Sequence, residues 1–286
     1  MSHIRVWNGQ EWRRTTTQDD YLSSMIGSTS KYIGRNPIDV MLSTYGATWA
    51  HRGGSASWPE MTKYAYDNAL AAGYGALEVS FGRTLDGIWF GLHDSTLDRT
   101  SGVSGGVDPN NLTWAEIRGY YQVTIGASGA PQPYMSWDEF LTGLPERTII
   151  ILDPKANTTA MTEIMARARS DWGVDKTIIK YYGAGPVAEQ VAATADSMGF
   201  DYRWGYFYES NYTNGSLDQY QDMWSILGMD YTASDDSWAA VKSYNKKVCA
   251  HILPSLTAYN TALAKGADMG QVAAVAKVPA VNTWFA

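Results

Sequence analysis

From about Thr44 onward, apolar and polar positions fall into short β-rich runs separated by stretches with helical spacing. The strand candidates are Thr48 to His51, Ala76 to Ser80, Ile88 to His93, Thr148 to Asp153, Thr177 to Tyr182 and Tyr202 to Tyr208, followed by Gly228 to Thr232, Val248 to Leu253 and Gly266 to Val272. Helical stretches such as Pro186 to Met198 and Ser255 to Lys265 lie between them. Strands that alternate with helices need crossover connections, and therefore form a parallel sheet. Nine candidates exceed a closed eight-stranded barrel by one; the excess disappears if Ala76 to Ser80 and Ile88 to His93 form one excursion around the Asp86-Gly87 turn. The expected fold is an α/β protein, a (β/α)8 TIM barrel, and 286 residues suffice for one large core of this kind.

The first 40 residues are polar, rich in Ser and Thr, and carry no sustained period, with a break near Pro37. Residues 1–40 are therefore read as an N-terminal appendage and residues 41–286 as the barrel. Within the appendage, Asn8-Gly9 stands between Val6-Trp7 and Trp12, a signal for a small hairpin. There is no repeat and no low-complexity tract.

Composition narrows the partners. A net charge of -7 and a pI near 5.1 oppose broad attraction to nucleic acid or to anionic membrane. The opening lacks the apolar core of a signal peptide and no segment is long enough to cross a bilayer, so the chain is expected to be soluble, unprocessed and cytoplasmic unless it belongs to a virion. Asn-x-Ser/Thr sequons at Asn111, Asn157, Asn211 and Asn214 are accordingly read as chance. The single cysteine, Cys249, lies in the apolar run Val248-Cys249-Ala250 and reads as an inert core thiol.

Chemistry enters with Ala50-His51-Arg52-Gly53-Gly54, which closes an apolar strand at the end where barrel active sites lie. A histidine at a strand end is by itself more often structural, but the segments that follow form an ordered series. They are Trp58-Pro59-Glu60-Met61-Thr62, then Ala76-Leu77-Glu78-Val79-Ser80, Thr84-Leu85-Asp86-Gly87 and Leu92-His93-Asp94-Ser95-Thr96-Leu97-Asp98-Arg99-Thr100. Farther on comes Ile150-Ile151-Leu152-Asp153-Pro154-Lys155. This series resembles the glycerophosphodiester phosphodiesterase family, strongly over residues 48–106 and only in barrel rhythm beyond residue 160. The opening around Val6-Trp7-Asn8-Gly9 is similar to the start of some bacteriophage minor tail proteins.

The resemblance implies His51 and His93 as a general base and acid pair, and Glu78 and Asp153 as ligands of a divalent cation, Ca2+ or Mg2+. It further implies Arg52 and Lys155 as phosphate contacts. Phosphodiester attack requires a proton removed from the nucleophile and another delivered to the leaving alkoxide, and two imidazoles serve both near neutral pH. In such a family a neighbouring glycerol hydroxyl attacks first, giving a cyclic phosphate that water opens. One position departs from the pattern: Ser80 stands where a second metal carboxylate is usual. A weaker metal site, a replacement carboxylate such as Glu209 or Asp230, and a barrel that binds without turnover all remain open.

Lys180 interrupts an apolar strand, and a buried lysine needs either a phosphate or a carboxylate partner. It is assigned to phosphate with the buried ion pair as alternative. Tyr202, Trp204, Tyr206 and Tyr208 share one strand face, which fits core packing or, at Tyr208, a stacking wall for a polyol. The run from Ser101 to Gly106 is a loop at the barrel mouth and no P-loop. His251 and His3 match no motif and read as structural or exposed. The expected substrate is a glycerophosphodiester, or a polyol-phosphate polymer such as teichoic acid if residues 1–40 tether the chain to a phage tail. The rival is a catalytically weakened cell-wall receptor-binding module.

Overall fold

The computed structural model describes residues 4–7, 12–15, 35–123, 129–155 and 158–285. Residues Ile4–Trp7 and Trp12–Thr15 pair antiparallel with Trp7 opposite Trp12. The Asn8-Gly9 turn, His3 and the Asn157 sequon lie outside the described residues.

Eight parallel strands close into the barrel: β1 (Ala47–Ala50), β2 (Ala76–Arg83), β3 (Ile149–Asp153), β4 (Thr177–Tyr182), β5 (Arg203–Phe207), β6 (Ile226–Asp230), β7 (Lys247–Leu253) and β8 (Met269–Val272). Each pairs with its sequence neighbours, and β8 returns to β1 through Met269 opposite Ala47, completing the TIM barrel. The ninth candidate is the expected excursion. β2 overruns the barrel, and its Phe81–Arg83 pairs antiparallel with Trp89–Gly91. Gly87 supplies the left-handed residue of the turn between them, and Thr84 Oγ1 accepts the Ile88 N–H at 2.9 Å. This excursion ends at His93 and builds its own small core from Phe90, Leu92, Leu97, Ile117 and Tyr134.

Period-two alternation sorts the strands into two packed layers. Outward positions such as Leu77, Val79, Ile150, Leu152, Ile179, Leu227 and Val248 pack beneath the helical layer, which includes Lys63–Ala71, Thr158–Asp171, Pro186–Ser197 and Asp235–Ser243. Inward positions Ala47, Trp49, Ala76, Ile149, Ile151, Ile178, Trp204, Ile226, Cys249 and Met269 fill the lower barrel. That end is sealed by the helix Pro37–Ser43, through Ile38, Val40 and Met41, and by Trp284, whose indole donates to Gly75 O at 3.3 Å. Higher up the same inward faces turn polar, at His51, Glu78, Ser80, Asp153, Lys180, His251 and Gln271, all buried. The apolar floor and polar top make the carboxyl end of the barrel the place for chemistry.

Candidate active site

The chain leaves β1 in a tight turn over His51–Gly53 in which Arg52 adopts a left-handed backbone (φ 52°). This turn directs the Arg52 N–H to Glu78 Oε2 at 2.8 Å. His51 is buried, with Nδ1 2.9 Å from Ser55 Oγ and Nε2 without a partner. Burial, reinforced by the charges of Arg52 and Lys180, holds its pKa well below the ordinary imidazole value, so the ring is neutral at pH 7.

His93 arrives from the excursion and lies nearer the solvent. Its Nδ1 is 2.7 Å from Asp94 Oδ1, and Asp94 is gripped by Arg99 at 2.5 and 3.0 Å. Arg99 also binds Glu60 at 2.7 Å, and Glu60 binds Arg52 Nη1 at 3.2 Å. A single chain of charge-assisted contacts therefore links the Arg52 turn to the His93 ring. Burial alone would raise the Asp94 pKa, but Arg99 and His93 bring it to about 2, so the orienting carboxylate is ionised. Burial lowers the His93 pKa, as do Lys155 and Arg52, while Asp94 works in the opposite direction.

Behind the histidines, β2, β3 and β4 bring Glu78, Asp153 and Lys180 together. Lys180 Nζ is 2.9 Å from Glu78 Oε1 and 3.8 Å from Asp153 Oδ2. Lys155 Nζ is 3.0 Å from Asp153 Oδ2. Burial would raise the Asp153 pKa, yet Lys155 and Lys180 hold it far below the usual carboxylate range. The alternative given for Lys180, a buried ion pair, is present, and the same side chain also lines a cavity.

That cavity, about 170 Å³, is bounded by His51, Arg52, His93, Lys180, Tyr206, Tyr208, His251, Ile252 and Gln271. A second space of about 410 Å³, lined in part by Phe81, Trp89, Asp94 and Lys155, adjoins it at His93. His51 Nε2, Arg52 Nε and Gln271 Nε2, in residues that line the smaller cavity, are buried without partners, and so is Ser80 Oγ in the strand position opposite Asp153.

The sequence had singled out His51, His93, Arg52, Lys155, Lys180, Glu78 and Asp153, and the barrel gathers all of them here. Ser55, Glu60, Asp94, Arg99 and Gln271 were not singled out, and Tyr206 was read only as part of an aromatic strand face. Glu60, Asp94 and Arg99 stand inside the quoted motifs, where their charges were the available signal; Gln271 stands in no motif. His251 is buried as a structural histidine would be, with Nε2 2.9 Å from Phe207 O, but it also lines the cavity. The suggested replacement carboxylates are elsewhere engaged or exposed: Asp230 Oδ1 accepts from Thr232 N and Oγ1, and Glu209 opens an exposed helical turn.

The acidic residues do not suit a divalent cation. Both oxygens of Glu78 are taken, by the Lys180 ammonium and the Arg52 N–H, and both oxygens of Asp153 accept from Lys155. Ser80, opposite Asp153 in register, adds no charge. Among the described residues no three His, Cys, Asp or Glu side chains come together as a metal cluster.

Residues 51–190 match the model of the Glycerophosphoryl diester phosphodiesterase family. Curated relatives include glycerophosphodiester phosphodiesterase 1 of Bos taurus, 42% identical over 69 residues covering 24% of this chain and 20% of the relative. Another is the glycerophosphodiester phosphodiesterase of Bacillus altitudinis, 34% identical over 70 residues covering 24% and 28% respectively. The aligned stretch thus spans less than a third of these relatives' length. Among solved structures, an Oleispira antarctica phosphodiesterase in complex with the product sn-glycerol-3-phosphate shares the fold at TM-score 0.62 and 17% identity, over 81% of this chain and 95% of that one. A Thermotoga maritima glycerophosphodiester phosphodiesterase does so at 0.61 and 17%, over 81% and 96%. The barrel therefore has the same fold as these solved phosphodiesterases. The family match covers residues 51–190, just under half of the chain.

Proposed function

We propose that the barrel cleaves glycerophosphodiesters, using His51 and His93 as its proton-transfer pair. The observation that carries this reading is the shared cavity: both imidazoles line it, and the buried, unpartnered Nε2 of His51 faces no competing group. His51, neutral at pH 7, takes the proton of the attacking hydroxyl as the new P–O bond forms. His93, steadied by Asp94, gives a proton to the leaving oxygen as the old P–O bond breaks. If the attacker is the neighbouring glycerol hydroxyl, the product is a cyclic phosphate, and water opens it with the two histidines exchanging roles.

Local charge supports the assignment. Arg52 and Lys180 line the smaller cavity and Lys155 the adjoining one, so cationic donors stand ready for a phosphodiester anion in a chain that is acidic overall. The entering anion opposes the charges that depress His93 and raises its pKa toward the value an acid needs. Because His93 borders both spaces, the phosphate belongs in the smaller one, and the leaving alcohol in the larger, against Phe81 and Trp89. Half-exposed Tyr208 at the rim offers a stacking face for a longer polyol, so teichoic acid is the polymer to test.

Phosphorus NMR of glycerophosphocholine incubated with the chain is the direct assay. The phosphodiester resonance should give way to a phosphomonoester. Tight binding of substrate or of intact walls with no new resonance would instead establish the receptor-binding module. Attachment to a virion through residues 1–40 is a separate proposal, tested by looking for the chain in purified particles.

A further inference from the structure

The charge count behind the histidines points beyond phosphate binding. Glu78 and Asp153 carry two negative charges, and Lys180 and Lys155 return two positive ones within 3.0 Å, so no net negative charge remains to attract a divalent ion. Lys180 Nζ occupies the position between the carboxylates, 2.9 Å from one and 3.8 Å from the other. The aromatic faces of Trp204 and Tyr206, with centroids 5.6 and 5.1 Å away, enclose it further. A divalent ion entering there would have to break the Glu78 contact and leave a buried ammonium facing a like charge.

We infer that the Lys180 ammonium is this barrel's resident cation, so that the site binds and cleaves its phosphodiester without Ca2+ or Mg2+. An ammonium has three donors. One is committed to Glu78, and Lys180 also lines the small cavity, where a non-bridging phosphate oxygen can take another. Ser80 fits this arrangement: an added carboxylate opposite Asp153 would unbalance a cluster that the two lysines already neutralise. The catalytic half of the inference rests on the phosphodiesterase reading, whereas the cation-binding half does not.

The test pairs calorimetry with turnover. EDTA-stripped wild type and Lys180→Met are titrated with Ca2+ and with Mg2+, and glycerophosphocholine cleavage is followed in excess EDTA and in excess of each ion. The wild type should show no saturable ion binding and equal turnover with chelator or ion. Lys180→Met should lose about 100-fold in turnover, the scale for one lost charge-stabilising donor. It should also acquire a saturable ion site on the vacated carboxylates, and the ion should restore part of its rate. Stoichiometric ion binding by the wild type, inactivation by EDTA with recovery on adding the ion, or a variant that gains no site would each overturn the inference. Should Lys180→Met fail to fold, Lys180→Gln carries the same expectations. A wild type inert under every condition would defeat the phosphodiesterase reading, while calorimetry would still decide which cation holds the position.

Discussion

Glu60 offers the sharpest test of how the site is held together. Its carboxylate is nearly buried, with 10% of the side chain exposed, and receives Arg52 Nη1 at 3.2 Å and Arg99 Nη2 at 2.7 Å. Burial would raise its pKa, but the two guanidiniums bring it below the usual value, so the charge belongs to the native state. Glu60→Gln keeps the shape and removes the charge. Breaking one partner of a buried ion pair costs about 3–5 kcal/mol. Arg99 is 38% exposed and screened by water, which places the expected loss at the lower end, about 3 kcal/mol. For a barrel of this size that is a fall of about 6–12 °C in Tm, measured by calorimetry with the wild type alongside. Arg99 also steadies Asp94, and through it His93, so kcat should drop about tenfold while KM changes little. A variant with the wild-type Tm and the wild-type kcat would show that the contacts linking Arg52 to His93 hold nothing in place.

Two further outcomes follow from buried groups. His251 has its pKa lowered to about 4, chiefly by burial, against 6.5 for the free side chain. The unfolded chain therefore binds the extra proton first, and stability should be complete above about pH 6.5 and fall by about 3 kcal/mol on acidification to pH 4. Urea titrations at several pH values should show this part of the slope missing in His251→Gln; an unchanged slope would mean that His251 does not titrate on unfolding. Cys249 is fully buried with its thiol pKa pushed well up by burial. It should not react with a thiol reagent until the chain unfolds, and fast labelling of native protein would contradict the packing of β7.

The eight barrel strands were legible because their inner and outer faces are both covered, so each strand reads as an apolar run bounded by turns. The excursion was legible from Asp86-Gly87, a turn whose backbone needs Gly87. Boundaries were less so. β6 begins at Ile226, two residues before the expected start, and β8 begins at Met269 because Gly266 ends the preceding helix in a left-handed conformation. In the site, His51 and His93 stood out as polar residues closing apolar strands or strand ends. What the sequence could not disclose was partnership across long separations. Glu78 and Lys180 are 102 residues apart, and only closure of β2, β3 and β4 shows that the lysine sits between the two carboxylates. Gln271 was hidden for another reason: one amide in a short strand carries no pattern, and its unpartnered Nε2 becomes meaningful only beside the cavity.

In the proposed reaction, two histidines that line one small cavity move the protons of phosphodiester cleavage. Release of glycerol phosphate from glycerophosphocholine, followed by phosphorus NMR for wild type, His51→Ala and His93→Ala, tests it directly. Each single variant should fold and lose about 100-fold or more in turnover. A wild type that cleaves while either variant keeps a near-normal rate would contradict the assignment of the pair.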